Sequence, residues 1–384
     1  MLLKRMCYAV VLATAMATTV MFCTTPEFGA SADTPMPPVS GVTLSGLDAH
    51  DGTIYQDDST LYLVGTRYGC GYEWQNANSP FCGFGAWEST SGIGGPWTYR
   101  GLLFDPTGMN TTRNEPWKTT CNTGGNGCFN PRMVQRHDGV WVLYFNAPAE
   151  TIRGRDEAYY VMGCNGPTGP CGASAGAPHG STRQLPMGAC NMGGDFSIIV
   201  DGATAYLACS SGSITIEQLD YWWTTGIANQ VTGAGAVRNV SYLSNAEAPG
   251  FFKAPDGMWV MTYGDPMCGY CAGTGTAYSV AQTAMGNPTP ATSPLGVWLP
   301  PANVGWAAPS SGRRSISGTS CGGQPRTVVS VDGQPYQWID LWYGSANETN
   351  ASVRLEPIVL TGQAWRAPAD GQVWRGAIRA FTCE

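Results

Sequence analysis

Three carboxylic residues stand at the start of similar segments along this 384-residue chain: Asp51, Asp195 and Glu247. Cleavage of a glycosidic bond needs one carboxylic acid that protonates the leaving oxygen and one carboxylate that activates water or attacks directly. Burial and a neighbouring negative charge both help such an acid to keep its proton near neutral pH. The three residues therefore predict glycosidic-bond chemistry if the fold brings them together, although Asp51 beside Gly52 could also be a turn residue.

The segments that would position these acids are five copies of one pattern. Each copy has a polar opening residue, an apolar strand, a turn containing Asp or Gly, and a second strand rich in Tyr, Trp and Val. The copies are Asp51–Thr66, Asn130–Asn146, Asp195–Ser210, Glu247–Gly264 and Gln324–Gly344. Each is the signature of a β-hairpin.

Five similar hairpins, with no convincing helical periodicity between them, predict an all-β chain folded as one five-bladed β-propeller over residues 45–384. Gly94–Arg100 is a candidate outer strand. In a propeller the innermost strands line a central channel, so the opening residues would converge at one mouth of it. A β-sandwich is the alternative, but it does not predict five copies with a special residue at the same place.

The first residues predict export. Lys4 and Arg5 precede an apolar stretch from Met6 to Cys23, and Ala30-Ser31-Ala32 fits a cleavage site. We expect a signal peptide at 1–32, a linker at 33–44 and a secreted, extracellular protein. A membrane anchor fits less well, because the stretch contains several Thr and Ala and is followed by a Pro-rich segment.

Twelve cysteines remain after the signal peptide, which predicts up to six disulfides in an exported chain. Three pairs are close enough in sequence to staple local loops: Cys70/Cys82, Cys121/Cys128 and Cys164/Cys171. Cys268-Gly-Tyr-Cys271 could suggest metal or redox chemistry, but no second cysteine pair or histidine cluster accompanies it, so a structural bridge is favoured. With three histidines in the chain, a histidine-rich metal site is excluded.

The composition and net charge limit the classes of partner that this chain is expected to bind. A net charge of -7 without Lys/Arg clusters argues against nucleic acid, and no membrane contact is expected after signal removal. Aromatic residues make up 11% and charged residues 12%, which suits a neutral sugar that stacks on aromatic rings. We expect a monomer that binds a polysaccharide or oligosaccharide. No cofactor is required, and a structural calcium in a polar channel is conceivable, although no acidic loop specifies one.

Six further residues are candidates for substrate binding: His50, Trp74, Asn130, Arg132, Gln324 and Arg326. His50 could equally be packed in the channel, and Gln324 could make a structural hydrogen bond. Arg132 and Arg326 each follow a hairpin start by two residues, so they could reach the centre or be exposed. Trp74, Trp87 and Trp306 are candidate sugar platforms or core residues.

The hairpins resemble glycoside hydrolase family 43. Asp51-Gly-Thr-Ile-Tyr is similar to the Asp-Pro-Ser-Ile opening of that family, Asp195-Phe-Ser-Ile to its second aspartate motif, and Glu247-Ala-Pro to its Glu-(Gly/Ala)-Pro acid motif. The resemblance spans residues 45–384. It implies an inverting mechanism with Asp51 as general base, Glu247 as general acid, and Asp195 as the residue that orients the acid and raises its pKa.

Within that family the chain is similar to the exo-acting galactanases at two places. Ala49-His50 precedes the first motif as it does in that group, and Gln324 stands where those enzymes carry a functional glutamine. The chain departs from them twice. They generally lack an acid at the Asp51 position, and their Glu-Arg-Pro-Lys in blade two is Phe129-Asn130-Pro131-Arg132 here. The resemblance implies hydrolysis of an arabinose- or galactose-containing cell-wall polysaccharide, meaning arabinan, galactan or arabinogalactan. The alternatives are an endo-acting arabinanase, a xylosidase, and a non-catalytic carbohydrate-binding propeller.

Overall fold

The computed structural model describes thirteen stretches of the chain: 40–122, 127–148, 159–172, 185–187, 189–190, 194–210, 213–228, 237–240, 243–255, 257–283, 291–298, 315–360 and 378–384. The predicted signal peptide, most of the predicted linker and Trp306 lie outside these residues. Among the described helices, none is both long and apolar enough to cross a bilayer.

Five antiparallel sheets form the five blades, in chain order. The first part of the chain contains β1 (Val42–Leu44), β2 (His50–Asp57), β3 (Thr60–Thr66), β4 (Phe84–Ser89), β5 (Thr98–Leu102), β6 (Met109–Asn110), β7 (Glu115–Pro116) and the short helix α1 (Trp117–Asn122). The second blade contains β8 (Phe129–Gln135), β9 (Trp141–Asn146), β10 (Tyr159–Cys164) and β11 (Leu185–Met187). The third contains β12 (Phe196–Asp201), β13 (Thr204–Ser210), β14 (Ile214–Gln218) and β15 (Val237–Val240).

The last two blades complete the ring. The fourth contains β16 (Glu247–Lys253), β17 (Trp259–Asp265), β18 (Gly275–Gln282) and β19 (Val297–Trp298), with β20 (Ser315–Ser317) pairing on β18. A 3-10 turn (Ser320–Gly322) precedes β21 (Gln324–Val331), β22 (Gln334–Leu341) and β23 (Ser352–Pro357). The strand orders are β2-β3-β4-β5, β8-β9-β10-β11, β12-β13-β14-β15, β16-β17-β18-β19 and β21-β22-β23-β1. The predicted five-bladed propeller is confirmed, and each of the five predicted hairpins is the inner pair of a blade.

Blade five contains strands from both ends of the described chain. Strand β1 pairs antiparallel with β23, with Val42 opposite Leu355 and Leu44 opposite Val353. Blade five therefore includes β1, which lies within the segment 33–44 that the sequence suggested as a linker. The alternation of apolar and polar residues over three positions is too short to identify such a strand from sequence.

The apolar strands are explained by packing between blades. The second strand of blade two, β9, is buried on both faces. Phe145 and Leu143 pack toward Phe84 and Val64 of blade one, in one apolar cluster. Tyr144 and Val142 belong to a second cluster, with Leu207 and Phe196 of blade three. Alternate residues of one strand thus fill two inter-blade cores, which is why the sequence reads as a continuous apolar run.

Six disulfides join the described cysteines: Cys70–Cys82, Cys121–Cys128, Cys164–Cys171, Cys190–Cys209, Cys268–Cys271 and Cys321–Cys383. The three local pairs expected from spacing are confirmed, and Cys268 is bonded to Cys271 as favoured. The pairing of Cys321 with Cys383 ties the entrance of blade five to the last residues of the chain.

Candidate active site

The inner strands of four blades open with a β-bulge at the same mouth of the channel. The register shifts fall between His50 and Thr53, Phe129 and Arg132, Glu247 and Gly250, and Pro325 and Val328. A bulge adds one residue to one strand and re-aims its side chains. In blades one and two the bulge lifts Asp51 and Asn130 out of the ladder, whereas Glu247 and Gln324 stay paired with Gly264 and Asp340.

The bulges also show that the opening residues of different blades do not all occupy the same structural position. Asp51 and Asn130 both follow the first bulge residue and have positive φ values of 44° and 56°, a conformation that Asp and Asn tolerate. Glu247 lies one position earlier, directly opposite Gly264, and Ala248 occupies the positive-φ position of that blade. The acids of blades one and four therefore reach the channel from positions that differ by one residue.

Glu247 begins β16 and is half-buried. Its Oε1 atom accepts hydrogen bonds from the backbone N–H of Cys268 at 2.9 Å and from Nε2 of Gln324 at 2.6 Å. Burial, followed by the charge of Asp195, raises the pKa of Glu247 to about 7, against the opposing effects of Arg326 and of these two donors. At neutral pH a large share of Glu247 is therefore protonated, as a general acid must be.

Asp195 immediately precedes β12, and its side chain is 15% exposed. Its Oδ1 atom accepts from Nδ2 of Asn130 at 2.8 Å, and its Oδ2 atom accepts from Nη1 of Arg326 at 2.6 Å. These contacts come from blades two and five, so three blades fix the position of this carboxylate. It lies near enough to Glu247 to help raise that residue's pKa.

Asp51 is only 1% exposed. Its Oδ1 atom accepts from Oγ1 of Thr66 at 2.5 Å, while Oδ2 is buried and accepts no hydrogen bond from the described residues. Burial raises the pKa of Asp51 to about 7, with Arg326 opposing and Asp340 adding to the rise. A buried carboxyl with one free oxygen is suited to accept a proton from a water molecule that reaches it.

Two arginines fill the channel below these acids. Arg132 donates to the backbone carbonyls of Asp51 at 2.5 Å, Gly52 at 2.9 Å and Phe196 at 3.3 Å. Arg326 bridges Asp195 and Asp340. Burial lowers the pKa of Arg132 to about 10, which leaves it charged at neutral pH. Both arginines are buried at the centre, so the alternative of exposed side chains is excluded.

The two arginines also affect whether a calcium ion could bind in the channel. Among the described residues, no group of three His, Cys, Asp or Glu side chains is arranged to hold a metal ion. Two guanidinium groups already lie among the central carboxylates, and their positive charge disfavours a cation at this place. The residues present therefore do not fit a central calcium.

Gln324 and His50 both lie next to Trp342, and Gln324 also contacts Glu247. Gln324 donates from Nε2 to Glu247 and to the carbonyl of Cys268, and accepts from Nε1 of Trp342 at 2.8 Å. His50 is 0% exposed, stacks on Tyr68 with ring centroids 4.9 Å apart, and lies 5.2 Å from the Trp342 ring. In this arrangement His50 is a packed channel residue, which was the alternative reading of the sequence.

Trp74 belongs to an aromatic cluster at the mouth. It is half-buried, and its ring contacts that of Tyr270 edge-on at 4.9 Å. Tyr270 in turn donates from its hydroxyl to that of Tyr68 at 2.9 Å. Trp87, the other described platform candidate, is buried against Tyr99 on the outer strands of blade one. Trp74 therefore belongs to the aromatic cluster around Tyr270, and Trp87 does not.

Sequence reasoning missed Asp340. This residue lies in β22, is 0% exposed, and accepts from the backbone N–H of Asp51 at 3.0 Å, from Nε of Arg326 at 3.1 Å and from Nε1 of Trp338 at 2.9 Å. The signal was a lone carboxylate in the apolar run Trp338-Ile339-Asp340-Leu341. A charge in a buried strand needs partners, so it marks a polar centre.

Comparisons with known proteins bear on the fold. No family model matches the chain, and no curated protein matches its sequence. Solved structures do match. An exo-β-1,3-galactanase from Phanerochaete chrysosporium, solved with galactose, superimposes with a TM-score of 0.57 at 18% identity, over 82% of this chain and 64% of that one. An exo-β-1,3-galactanase from Clostridium thermocellum gives 0.56 at 14% identity, over 84% and 61%.

A third match is a β-1,3-galactosidase of family GH43, solved with galactodeoxynojirimycin. It gives a TM-score of 0.56 at 16% identity, and the match covers 83% of this chain and 96% of that one. This chain therefore spans less than two thirds of the two galactanases but nearly all of the galactosidase. At these identities the likeness establishes the fold: the chain has the five-bladed propeller found in GH43 enzymes.

Proposed function

We propose that the protein is a secreted, inverting glycoside hydrolase, with Glu247 as general acid, Asp51 as general base and Asp195 as the residue that orients Glu247 and raises its pKa. The observation that carries the proposal is the position of Arg326 among all three carboxylates. It is hydrogen-bonded to Asp195, and its pKa is raised by Asp195, Asp340, Asp51 and Glu247 against the effect of burial. Carboxylates from four blades thus face one centre.

The proposed mechanism follows from the protonation of these groups. Glu247, with a pKa near 7, protonates the glycosidic oxygen of the bound sugar. Asp51 in its ionised form removes a proton from a water molecule that attacks the anomeric carbon from the opposite face. Asp195 stays paired with Arg326 and supplies the negative charge that keeps the proton on Glu247. The product would have the inverted configuration.

The substrate we propose is a galactose- or arabinose-containing polysaccharide of cell walls. The structural neighbours include enzymes solved with galactose and with β-1,3-galactotriose, and their propellers match this one. The half-buried Trp74, in the aromatic cluster with Tyr270, offers a ring face for a sugar. Export of the chain, proposed from its first residues, agrees with six disulfides in the described part and with a polymeric substrate outside the cell.

The deciding experiment is hydrolysis of purified galactans, arabinans and aryl glycosides by the protein and by Glu247→Gln. The variant should lose at least about a thousandfold in kcat, because the amide cannot donate the acid's proton. Glu88→Gln is the matched control: Glu88 pairs with Arg100 on the outer strands of blade one, and its loss should leave turnover unchanged. Full turnover by Glu247→Gln would refute the assignment, and sugar binding without turnover in the wild type would indicate a binding propeller.

The stereochemical outcome is a separate test. Proton NMR of the first product should show the inverted anomer, since a water activated by Asp51 attacks opposite to the leaving group. Retention of configuration would exclude Asp51 as the base.

A further inference from the structure

The loop between β17 and β18, residues 266–274, carries the Cys268–Cys271 disulfide and lies against Glu247. We call it the Cys268 loop. Both backbone polar groups of Cys268 contact side chains of the candidate site. Its N–H donates to Oε1 of Glu247 at 2.9 Å, and its carbonyl accepts from Nε2 of Gln324 at 2.6 Å. A backbone N–H of this loop therefore holds the carboxyl of Glu247 together with the Gln324 side chain.

The same loop forms part of the aromatic cluster. Tyr270 lies inside the four-residue ring closed by the disulfide, and its ring is 4.8 Å from that of Trp342 and 4.9 Å from that of Trp74. Its hydroxyl donates to Tyr68. A methyl group added at Gly269 would overlap the Trp74 ring. The loop is thus fixed between Glu247 on one side and the aromatic cluster on the other.

Other features of the loop leave it room to move. Met267 is 48% exposed, and a cavity of about 230 Å³ borders both Cys268 and Cys271. Hydrogen bonds anchor the two ends, from the N–H of Met267 to the carbonyl of Asn245 at 2.9 Å and from the hydroxyl of Thr274 to the carbonyl of Pro266 at 2.7 Å. A covalent cross-link reduces the freedom of the segment between its two ends. Without the bond, Cys268 could leave Glu247 while the loop ends stayed in place.

We propose that Cys268 is a positioning residue for Glu247, and that its disulfide with Cys271 makes turnover at this site sensitive to reduction. The inference rests on the proposed role of Glu247 as general acid. A dithiol can reduce this bond without a further reactant. One thiolate attacks a sulfur of the bond, the second closes a cyclic disulfide on the reagent, and both cysteines become thiols.

The electrostatics around Glu247 predict the direction of the effect. Four groups face this carboxyl: Asp195 from blade three, Arg326 and Gln324 from blade five, and the N–H of Cys268 from the loop. Of these, Asp195 raises the pKa of Glu247 and the other three lower it. Loss of the Cys268 N–H removes a hydrogen bond to the charged form, so the pKa of Glu247 must rise.

The test compares wild type with Cys268→Ala/Cys271→Ala. We expect kcat to fall about tenfold, the value of one hydrogen bond to a charged group, while KM changes little. The alkaline limb of the pH–rate profile should move to higher pH. The matched control is Cys164→Ala/Cys171→Ala, which opens another short loop at the outer side of blade two, where Cys164 pairs with Trp141. Dithiothreitol should slow the wild type and the control, but not the Cys268 variant.

A second variant leaves the disulfide intact. Gly269→Ala displaces the loop by its clash with Trp74 and should shift the alkaline limb in the same direction. Unchanged kcat and pH profiles in both the double variant and Gly269→Ala would overturn the proposal.

A readout independent of turnover separates this proposal from the proposed function. Carbon-13 NMR of the glutamate carboxyls, with the Glu247 signal identified by its loss in Glu247→Gln, gives the titration of Glu247 directly. A higher pKa in Cys268→Ala/Cys271→Ala supports the positioning role even if Glu247→Gln retains turnover, in which case the proposed function alone fails. Identical titration curves would refute the positioning role even if Glu247→Gln is inactive.

Discussion

Arg326 donates from Nη1 to Oδ2 of Asp195 at 2.6 Å and from Nε to Oδ2 of Asp340 at 3.1 Å. Asp340 also accepts from the backbone N–H of Asp51. One guanidinium and one buried carboxylate of blade five therefore connect the acids of blades one and three. This connection makes the geometry of the candidate site depend on a residue that need not touch the substrate.

We expect Asp340→Asn to lower kcat/KM at least tenfold and to destabilise the fold by about 2 kcal/mol, because Arg326 loses a buried charged partner. Steady-state kinetics and urea unfolding measure the two effects. Asp138→Asn is the control, since Asp138 pairs with Arg136 at the turn between β8 and β9, away from the carboxylates. Equal kinetics in wild type and Asp340→Asn would show that the network does not position the acids.

The pH–rate profile should be a narrow bell centred near pH 7. Asp51 must be ionised to act as base, and Glu247 must be protonated to act as acid, yet the pKa of each is raised to about 7. Activity should therefore fall on the acidic side as Asp51 gains a proton and on the alkaline side as Glu247 loses one. A broad plateau from pH 5 to 9 in kcat/KM would contradict this assignment.

Asp51→Asn should lose activity but gain stability above neutral pH. The pKa of Asp51 in the folded protein lies above its unfolded value, so the native state binds more protons and stability falls as pH rises from about 4 to about 7. Removing the charge should stabilise the protein on the order of 2 kcal/mol at pH 8 and less at pH 5. Thermal unfolding at both pH values is the measurement, and a lower Tm at pH 8 would be the opposite result.

Gln324→Glu should shift the alkaline limb upward by at least about one pH unit, because two carboxyls in contact cannot both ionise easily. At present the Gln324 amide donates to Glu247 and lowers its pKa. The same change at Gln334, in the far turn of the same hairpin, serves as control. If both variants had the same profile as the wild type, Gln324 would not control the protonation of Glu247.

The five hairpins could be predicted because each inner pair of strands carries its own turn and its own apolar pattern, which are local signals. The convergence of Asp51, Asp195 and Glu247 followed from the repeat alone. The register at each bulge could not be predicted, because one extra residue in a strand depends on pairing with its neighbour. Hence the one-residue offset between Asp51 and Glu247 emerged from the structure.

The supporting residues were harder to identify for the same reason. Asp340 lies nearly 300 positions from Asp51 in sequence, and the backbone N–H of Cys268 is invisible to any reading of side-chain types. For His50 the sequence left two interpretations open, contact with sugar or packing in the channel, and the structure adds that the residue is fully buried and stacks on Tyr68. Residue type indicates possible chemistry, whereas the surroundings of a side chain depend on contacts that are distant in sequence.

The joint between β1 and β23 has a consequence for how the centre is assembled. Strand β1 leads within six residues into His50 and Asp51, while β23 lies beside β22, which contains Asp340. The pairing that closes the ring is thus in the same blade as Asp340, and the chain runs from β1 directly to Asp51, which contacts Asp340 from blade one. During synthesis this meeting must wait until blade five has been made, so a chain interrupted before β21 would lack Gln324, Arg326 and Asp340 together. Mechanical or thermal opening of the ring at β1 would remove one strand from blade five and would let the proposed base separate from the blade that holds it.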